Sequence, residues 1–162
     1  MTPFRPEHAD LVARITDFHN RYCAALDAGR VEDWPDYFCE DALYRINSRE
    51  NHDLGLPAGL VYAQGRDMMR DRATAIARTQ MFAPRYTLHL VSNVRLIETG
   101  TLIKAGANFI ALQTLVEGPT TIHMAGRYED VFRMSEDGTL MLKARDVIYD
   151  TSVVANDLVY PL

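Results

Sequence analysis

The residues of this chain able to carry chemistry are five histidines, two cysteines and a scattering of tyrosines and carboxylates. An iron–sulfur centre needs Cys and His ligands in close pairs, yet neither Cys23 nor Cys39 has a His within two positions. Mononuclear iron needs two His and a carboxylate converging on one point. His8, His19, His52, His89 and His123 are dispersed along the chain, with no HxxxH or HxxxxH pair, so no metal or cofactor site is expected here. There is no G-x-G-x-x-G after a strand, no Walker loop and no G-x-S-x-G elbow, which leaves nicotinamide, nucleotide triphosphate and acyl-serine chemistry without a motif. Acid–base chemistry remains open, because it needs only a His or carboxylate of shifted pKa beside a hydroxyl donor. Its candidates are His19, Tyr22 and Asp146, with His89 and His123 behind them. Each also has a plainer reading: His19 and Tyr22 as core residues, His123 as exposed or at an interface, Asp146 as a paired structural carboxylate.

A second group of residues could bind rather than react. Arg127, Glu129, Asp130, Arg133, Lys143, Arg145 and Asp146 fall on two neighbouring strands, where facing opposite charges contribute about 0.2–1 kcal/mol each. They read equally as a solvated sheet face or as a polar subunit interface. The turn-rich run 47–59, containing Arg49, Asn51 and His52, is either a mere connection or a docking arm, and its length beyond the usual connection of about four to six residues favours the docking arm.

Positioning these residues falls to a small set of elements. Leu11, Val12, Ile15, Phe18, His19, Tyr22, Cys23 and Leu26 repeat at helical spacing, predicting a helix that starts near Pro6 and ends near Ala28 with Gly29 as its cap. A short helix is predicted over Val31–Phe38, a strand over Asp41–Ile46, then the 47–59 loop. A third helix is predicted over Gln64–Thr79, with Met68, Met69, Arg72, Ala73, Ile76 and Ala77 on one face. Four β runs follow, over 86–99, 101–116, 120–134 and 139–151, with short breaks that imply antiparallel hairpins. In the third, Ile122, Met124, Gly126, Tyr128, Phe132 and Met134 form the expected core face.

Helices before sheet signify an α+β fold rather than alternating βαβ units. The expected architecture is one domain over 1–162, a cone of the nuclear transport factor 2-like (ketosteroid isomerase-like) kind, with three N-terminal helices on a strongly curved, mostly antiparallel sheet. At 162 residues, 48% of them hydrophobic, the core needs no staple, and Cys23 and Cys39 are expected as reduced structural thiols. A net charge of −5 and a pI near 5.5 offer no field for nucleic acid or an anionic membrane. No apolar stretch approaches the ~20 residues of a spanning helix, and the amino end has no signal core, so a cytoplasmic location is expected.

The run Tyr22–Asp27 with Trp34 and Phe38, then Asp41-Ala42-Leu43-Tyr44-Arg45-Ile46 leading to Arg49-Glu50-Asn51, then Asp67-Met68-Met69 with Asp71-Arg72, resembles the small, or β, subunits of Rieske non-haem iron aromatic-ring-hydroxylating dioxygenases. Leu90-Val91-Ser92-Asn93-Val94, Ala125 through Arg133, and Arg145-Asp146-Val147-Ile148-Tyr149-Asp150 continue the likeness in the same order. Asn51-His52, Gly55-Leu56, Ala58-Gly59 and Asp67-Met68 are similar to members acting on aromatic carboxylates such as terephthalate or anthranilate. Tyr128, where an Arg is common, and Asp146-Val147 depart from the pattern. The resemblance implies a small subunit without catalytic residues of its own. It also implies a large α subunit carrying a Rieske [2Fe-2S] cluster and mononuclear Fe(II), NADH as ultimate electron donor, and trimeric self-association in an α3β3 assembly. On that reading Arg49, Asn51, His52, Arg127, Glu129 and Arg133 are interface candidates. The alternative function is a stand-alone isomerase, dehydratase or cyclase using His19, Tyr22 and Asp146 in the conical pocket.

Overall fold

The computed structural model describes residues 6–56, 59–79, 83–154 and 160–162. A 3₁₀ turn at Pro6–His8 leads into α1 (Ala9–Asp27), which buries Ile15, Phe18, His19, Tyr22, Cys23 and Leu26 along one stripe. Its end is closed by backbone N–H groups of Ala28, Gly29 and Arg30 bonding to Ala24, Leu26 and Ala25 at 3.1, 2.9 and 2.9 Å. Gly29 takes φ 73°, a conformation in which a side chain would be strained.

The predicted second helix is a 3₁₀ segment, Val31–Tyr37. Phe38 lies outside it: extended and buried, it opens β1 (Phe38–Ser48) three residues before the predicted strand. The predicted 47–59 loop is also more structured than its turn formers suggest. Ser48 accepts a hydrogen bond from the Asn51 N–H (3.2 Å) and caps the short helix α2 (Arg49–Asp53). β2 (Val61–Gln64), absent from the predicted elements, then pairs antiparallel with β1. α3 (Arg66–Arg78) buries Met69, Ala73 and Ile76, while Met68, expected on that face, is exposed.

The four long runs become β3 (Arg85–Glu98), β4 (Leu102–Leu115), β5 (Thr120–Met134) and β6 (Leu140–Tyr149). The sheet order is β2-β1-β6-β5-β4-β3, antiparallel except where β1 runs parallel to β6. Register shifts interrupt β3–β4 between Ser92 and Arg95, β4–β5 at Ala111/Leu112, β5–β6 at Val131/Phe132 and β1–β6 between Phe38 and Leu43. Asn93, in the first of these, has φ 54°. Such bulges bend a sheet and sharpen its twist, and the helices pack against its concave side.

The bulges also redirect side chains. Leu112 pairs with Ile122 and Ala111 with Met124, so His123 is an extra residue on β5. Alternation breaks there, and Ile122, expected in the core, is 65% exposed. Met134, at the end of the strand, is exposed too. Inside the cone, Trp34, Phe38 and Tyr44 meet edge to face, with ring centroids 5.0–5.9 Å apart, and Phe18 packs on Phe132 at 5.1 Å. Both cysteines are buried free thiols, and burial pushes Cys23 up to about 12.

Candidate functional site

The period of a strand would place Leu140 and Leu142 on one face of β6 and Arg145 on the other. The bulge opposite Val131/Phe132 resets that phase, so Leu140, Leu142, Arg145 and Val147 are all buried. On β5, Asp130 shares the face of Tyr128 and Phe132 and is the cross-strand partner of Arg145. The result is a bidentate ion pair at 2.8 and 2.8 Å, its side chains 0% and 1% exposed. Asp130 and Arg145, expected among the charges of an outer sheet face, are therefore core residues.

Two tyrosines enclose the guanidinium, its carbon 4.3 Å from the Tyr22 ring centre and 4.2 Å from that of Tyr128, an arrangement in which the ring faces stabilise the cation. Arg145 also donates to His19 Nδ1 at 3.1 Å. The tautomer that accepts this bond carries its proton on Nε2, 3.6 Å from Asp130 Oδ2. Burial first, and Arg145 second, lower the His19 pKa to about 4, against a smaller opposing effect of Asp130. Around this cluster, Trp34 Nε1 donates to the Tyr22 hydroxyl (2.8 Å), which donates to the Leu162 carbonyl (3.0 Å), while the Leu162 N–H donates to the Tyr44 hydroxyl (2.8 Å). Burial pushes Tyr44 up to about 12 and Tyr22 well above its ordinary value. At neutral pH the imidazole is thus uncharged and a weak base, both phenols keep their protons, and the cone is filled by its own side chains.

The three acid–base candidates are not brought together. His19 and Tyr22 meet inside the cone, but Asp146 follows Arg145 by one residue and points to the opposite face, as successive strand residues must. There it pairs with Arg45 of β1 at 2.5 and 2.7 Å, directly across the parallel register. His89 lies deeper than a reserve candidate suggests: its Nδ1 is 2.6 Å from Asp27 at the end of α1. His123 occupies the β5 bulge at intermediate exposure.

The interface candidates divide into two places. Arg49 reaches Asp150 at 2.6 Å, His52 lies 3.5 Å from Glu129, and Arg127 lies 3.6 Å from Asp53 and 3.5 Å from Glu129. With Asn51 on the same short helix, these form one ionic patch spanning α2, β5 and the end of β6. Arg133 stands apart, sharing Asp41 with Lys143 at 3.2 and 2.6 Å; those two cations hold the Asp41 carboxyl at about 2. Beside α2, Leu54, Leu56 and Leu60 are exposed. Among the described residues no three His, Cys, Asp or Glu side chains gather as a metal site would require, and no helix is long and apolar enough to cross a membrane.

Residues 21–156 match the family model of the ring hydroxylating beta subunit. The chain is 36% identical over 144 residues to the anthranilate 1,2-dioxygenase small subunit of Burkholderia cepacia, covering 88% of this chain and 89% of that one. It is 30% identical over 151 residues to the terephthalate 1,2-dioxygenase terminal oxygenase component subunit beta 2 of Comamonas sp, covering 92% and 97%. A crystal structure from Novosphingobium aromaticivorans, described as the beta subunit of an aromatic-ring-hydroxylating dioxygenase, superposes with TM-score 0.86 at 36% identity, covering 94% of this chain and 97% of that one. The α+β architecture of helices on a six-stranded mixed sheet is shared with that crystal structure and is the nuclear transport factor 2-like fold.

Proposed function

The chain belongs to the ring hydroxylating beta subunit family, and we propose from this premise that it is the small structural subunit of an aromatic-ring-hydroxylating dioxygenase, supporting the large subunit that performs the reaction. The observation that carries this reading is the filled cone. Arg145, Asp130, His19 and the surrounding tyrosines and Trp34 are buried in the middle of the cone and bonded to one another, and their protonation states are unsuited to acid–base turnover near pH 7. The isomerase, dehydratase or cyclase alternative loses its third residue as well, since Asp146 faces outward.

Function then resides on the outside. The ionic patch of Arg49, Asn51, His52, Arg127 and Glu129, bordered by Leu54, Leu56 and Leu60, is the surface for the large subunit: exposed apolar side chains within a polar rim are the composition of an interface. On β3, β4 and β5 the exposed Leu90 and Ile110 are cross-strand partners, and Leu112 pairs with exposed Leu88 on one side and exposed Ile122 on the other, making a second apolar area, which suits self-association as a trimer within α3β3. The large subunit supplies the Rieske [2Fe-2S] cluster and the mononuclear Fe(II), fed by NADH through separate electron carriers. The substrate class is an aromatic carboxylate, by analogy with the anthranilate and terephthalate enzymes named above. The small subunit works in the cytoplasm as one domain.

Co-expression with the large subunit and size-exclusion chromatography test the proposal. The expected result is co-elution as one hetero-oligomer, with Arg49→Glu/Arg127→Glu lowering its yield while the circular dichroism of the isolated chain stays unchanged. Separate elution together with full activity of the large subunit alone overturns it.

A further inference from the structure

One residue inside the cone comes from neither a helix nor a strand. Leu162, well beyond the end of β6 at Tyr149, is 2% exposed and belongs to the same core as Tyr22, Trp34 and Tyr44, each fully buried. Side chains hold its main chain: the N–H donates to the Tyr44 hydroxyl at 2.8 Å, and the carbonyl accepts from the Tyr22 and Tyr44 hydroxyls at 3.0 and 3.3 Å. The protons balance. Each phenol gives its single proton to the carbonyl, while Tyr22 receives Trp34 Nε1–H at 2.8 Å and Tyr44 receives the Leu162 N–H. The three side chains stand on α1, the 3₁₀ segment and β1, and ring contacts fix them independently of Leu162. Trp34 meets Tyr44 edge to face at 5.0 Å, Phe38 packs on both, and Tyr22 packs on Phe18 and Phe38. Without Leu162, two O–H donors and one hydroxyl acceptor would lose their partners in the core, which is costly.

We propose that Tyr22, Trp34 and Tyr44 form a preorganised binding site for a leucine-type amide, an N–H and C=O pair carrying a branched alkyl group, and that the chain's own Leu162 occupies this site and thereby closes the cone. The ligand class follows from the groups present. Two O–H donors converge on one carbonyl oxygen, a hydroxyl oxygen accepts the neighbouring N–H, and the alkyl group enters the apolar core, as ligands do in pockets with a few directed polar groups. Trp34 is the positioning residue, since its N–H engages one lone pair of Tyr22 and leaves the phenol proton for the carbonyl. A tethered occupant acts at a high effective concentration, so a free amide enters only when residue 162 is withdrawn.

Leu162→Lys in the full-length chain withdraws the occupant, because an ammonium group is too costly to bury in a core that already holds the Arg145 cation. Trp34, the one tryptophan of the sequence, reports on the site through its bond to Tyr22. N-acetyl-L-leucinamide should shift the Trp34 fluorescence saturably in Leu162→Lys and leave the wild type unchanged at the same concentrations, whereas N-acetylglycinamide, which lacks the alkyl group, should shift neither. If circular dichroism finds Leu162→Lys unfolded, saturating N-acetyl-L-leucinamide should restore the native spectrum, since a ligand of the folded state stabilises it by mass action. A folded Leu162→Lys chain without a saturable shift, an unfolded one that the amide fails to restore, or an equal response to N-acetylglycinamide or from the wild type overturns the proposal.

Discussion

Replacing Asp130 with Asn leaves the Arg145 guanidinium buried without its counter-charge. The pair is bidentate at 2.8 and 2.8 Å with side chains 0% and 1% exposed, so water cannot enter to substitute for the lost carboxylate. Removing one partner of a buried pair costs about 3–5 kcal/mol, because the stranded ion keeps its full desolvation penalty. The two tyrosine faces at 4.2–4.3 Å offset only part of this, on the order of 2 kcal/mol when desolvated, and they already act in the wild type. With roughly 2–4 °C per kcal/mol for a chain of this size, Asp130→Asn should melt some 6–20 °C lower. The double variant Asp130→Leu/Arg145→Met removes both charges together. Apolar replacement of a buried pair is often neutral, so the double variant should be more stable than Asp130→Asn alone, even though His19 Nδ1 loses its donor. Urea unfolding at pH 7, followed by far-ultraviolet circular dichroism, measures all three free energies. A loss below about 1 kcal/mol for Asp130→Asn, or a double variant less stable than Asp130→Asn, refutes the account of this pair as a charge held inside the core.

His19 ties stability to pH: with a folded-state pKa of about 4 against an ordinary 6.5, the fold prefers the neutral ring. Its contribution is complete above about pH 6.5 and is lost as pH falls toward 4, by up to about 3 kcal/mol; His19→Gln should flatten the urea midpoint against pH in that window. Trp34→Phe keeps the ring packing on Phe38 and Tyr44 but deletes the donor to the buried Tyr22 hydroxyl, and should cost about 1–2 kcal/mol in the same unfolding assay. A β-carbon at Gly126 would overlap the Ile148 carbonyl oxygen and crowd the Tyr149 Cα at 2.8 Å. Gly126→Ala must therefore part β5 from β6 and should destabilise by about 1–3 kcal/mol, with an unchanged melting temperature contradicting that close approach.

Much of the fold was legible because it is written in periodicity. The 3.6-residue stripe from Leu11 to Leu26 yields α1, and the β runs between Gly-containing breaks match β3 to β6 within a few residues. β2 is not legible in the sequence because four residues, Val61–Gln64, are too few for alternation to register. The run 47–59 contained a capped helix whose one cue was Ser48, placed to bond the N–H of Asn51. In the candidate sites, the meeting of His19 with Tyr22 followed from helical spacing, whereas the inclusion of Asp146 with them did not survive. Asp130 carried a usable signal, since it falls in phase with Tyr128 and Phe132.

The amino-acid order alone determined that helices precede a mostly antiparallel sheet, that the histidines and cysteines are dispersed along the sequence, and that the chain resembles a dioxygenase small subunit. These are local properties, set by spacing and residue type along the backbone. Only the tertiary structure decided which charges are inside. Arg145 and Asp146 are neighbours in sequence, yet a single bulge on β6 turns one into the core and the other toward Arg45. A bulge shifts the two-residue phase of everything beyond it, and its position depends on strands contributed from far along the chain. The same long-range closure brings Asp27 to His89 and Leu162 to Tyr22 and Tyr44. No pattern within one segment encodes such meetings, because they are made by the packing of elements rather than by the elements themselves.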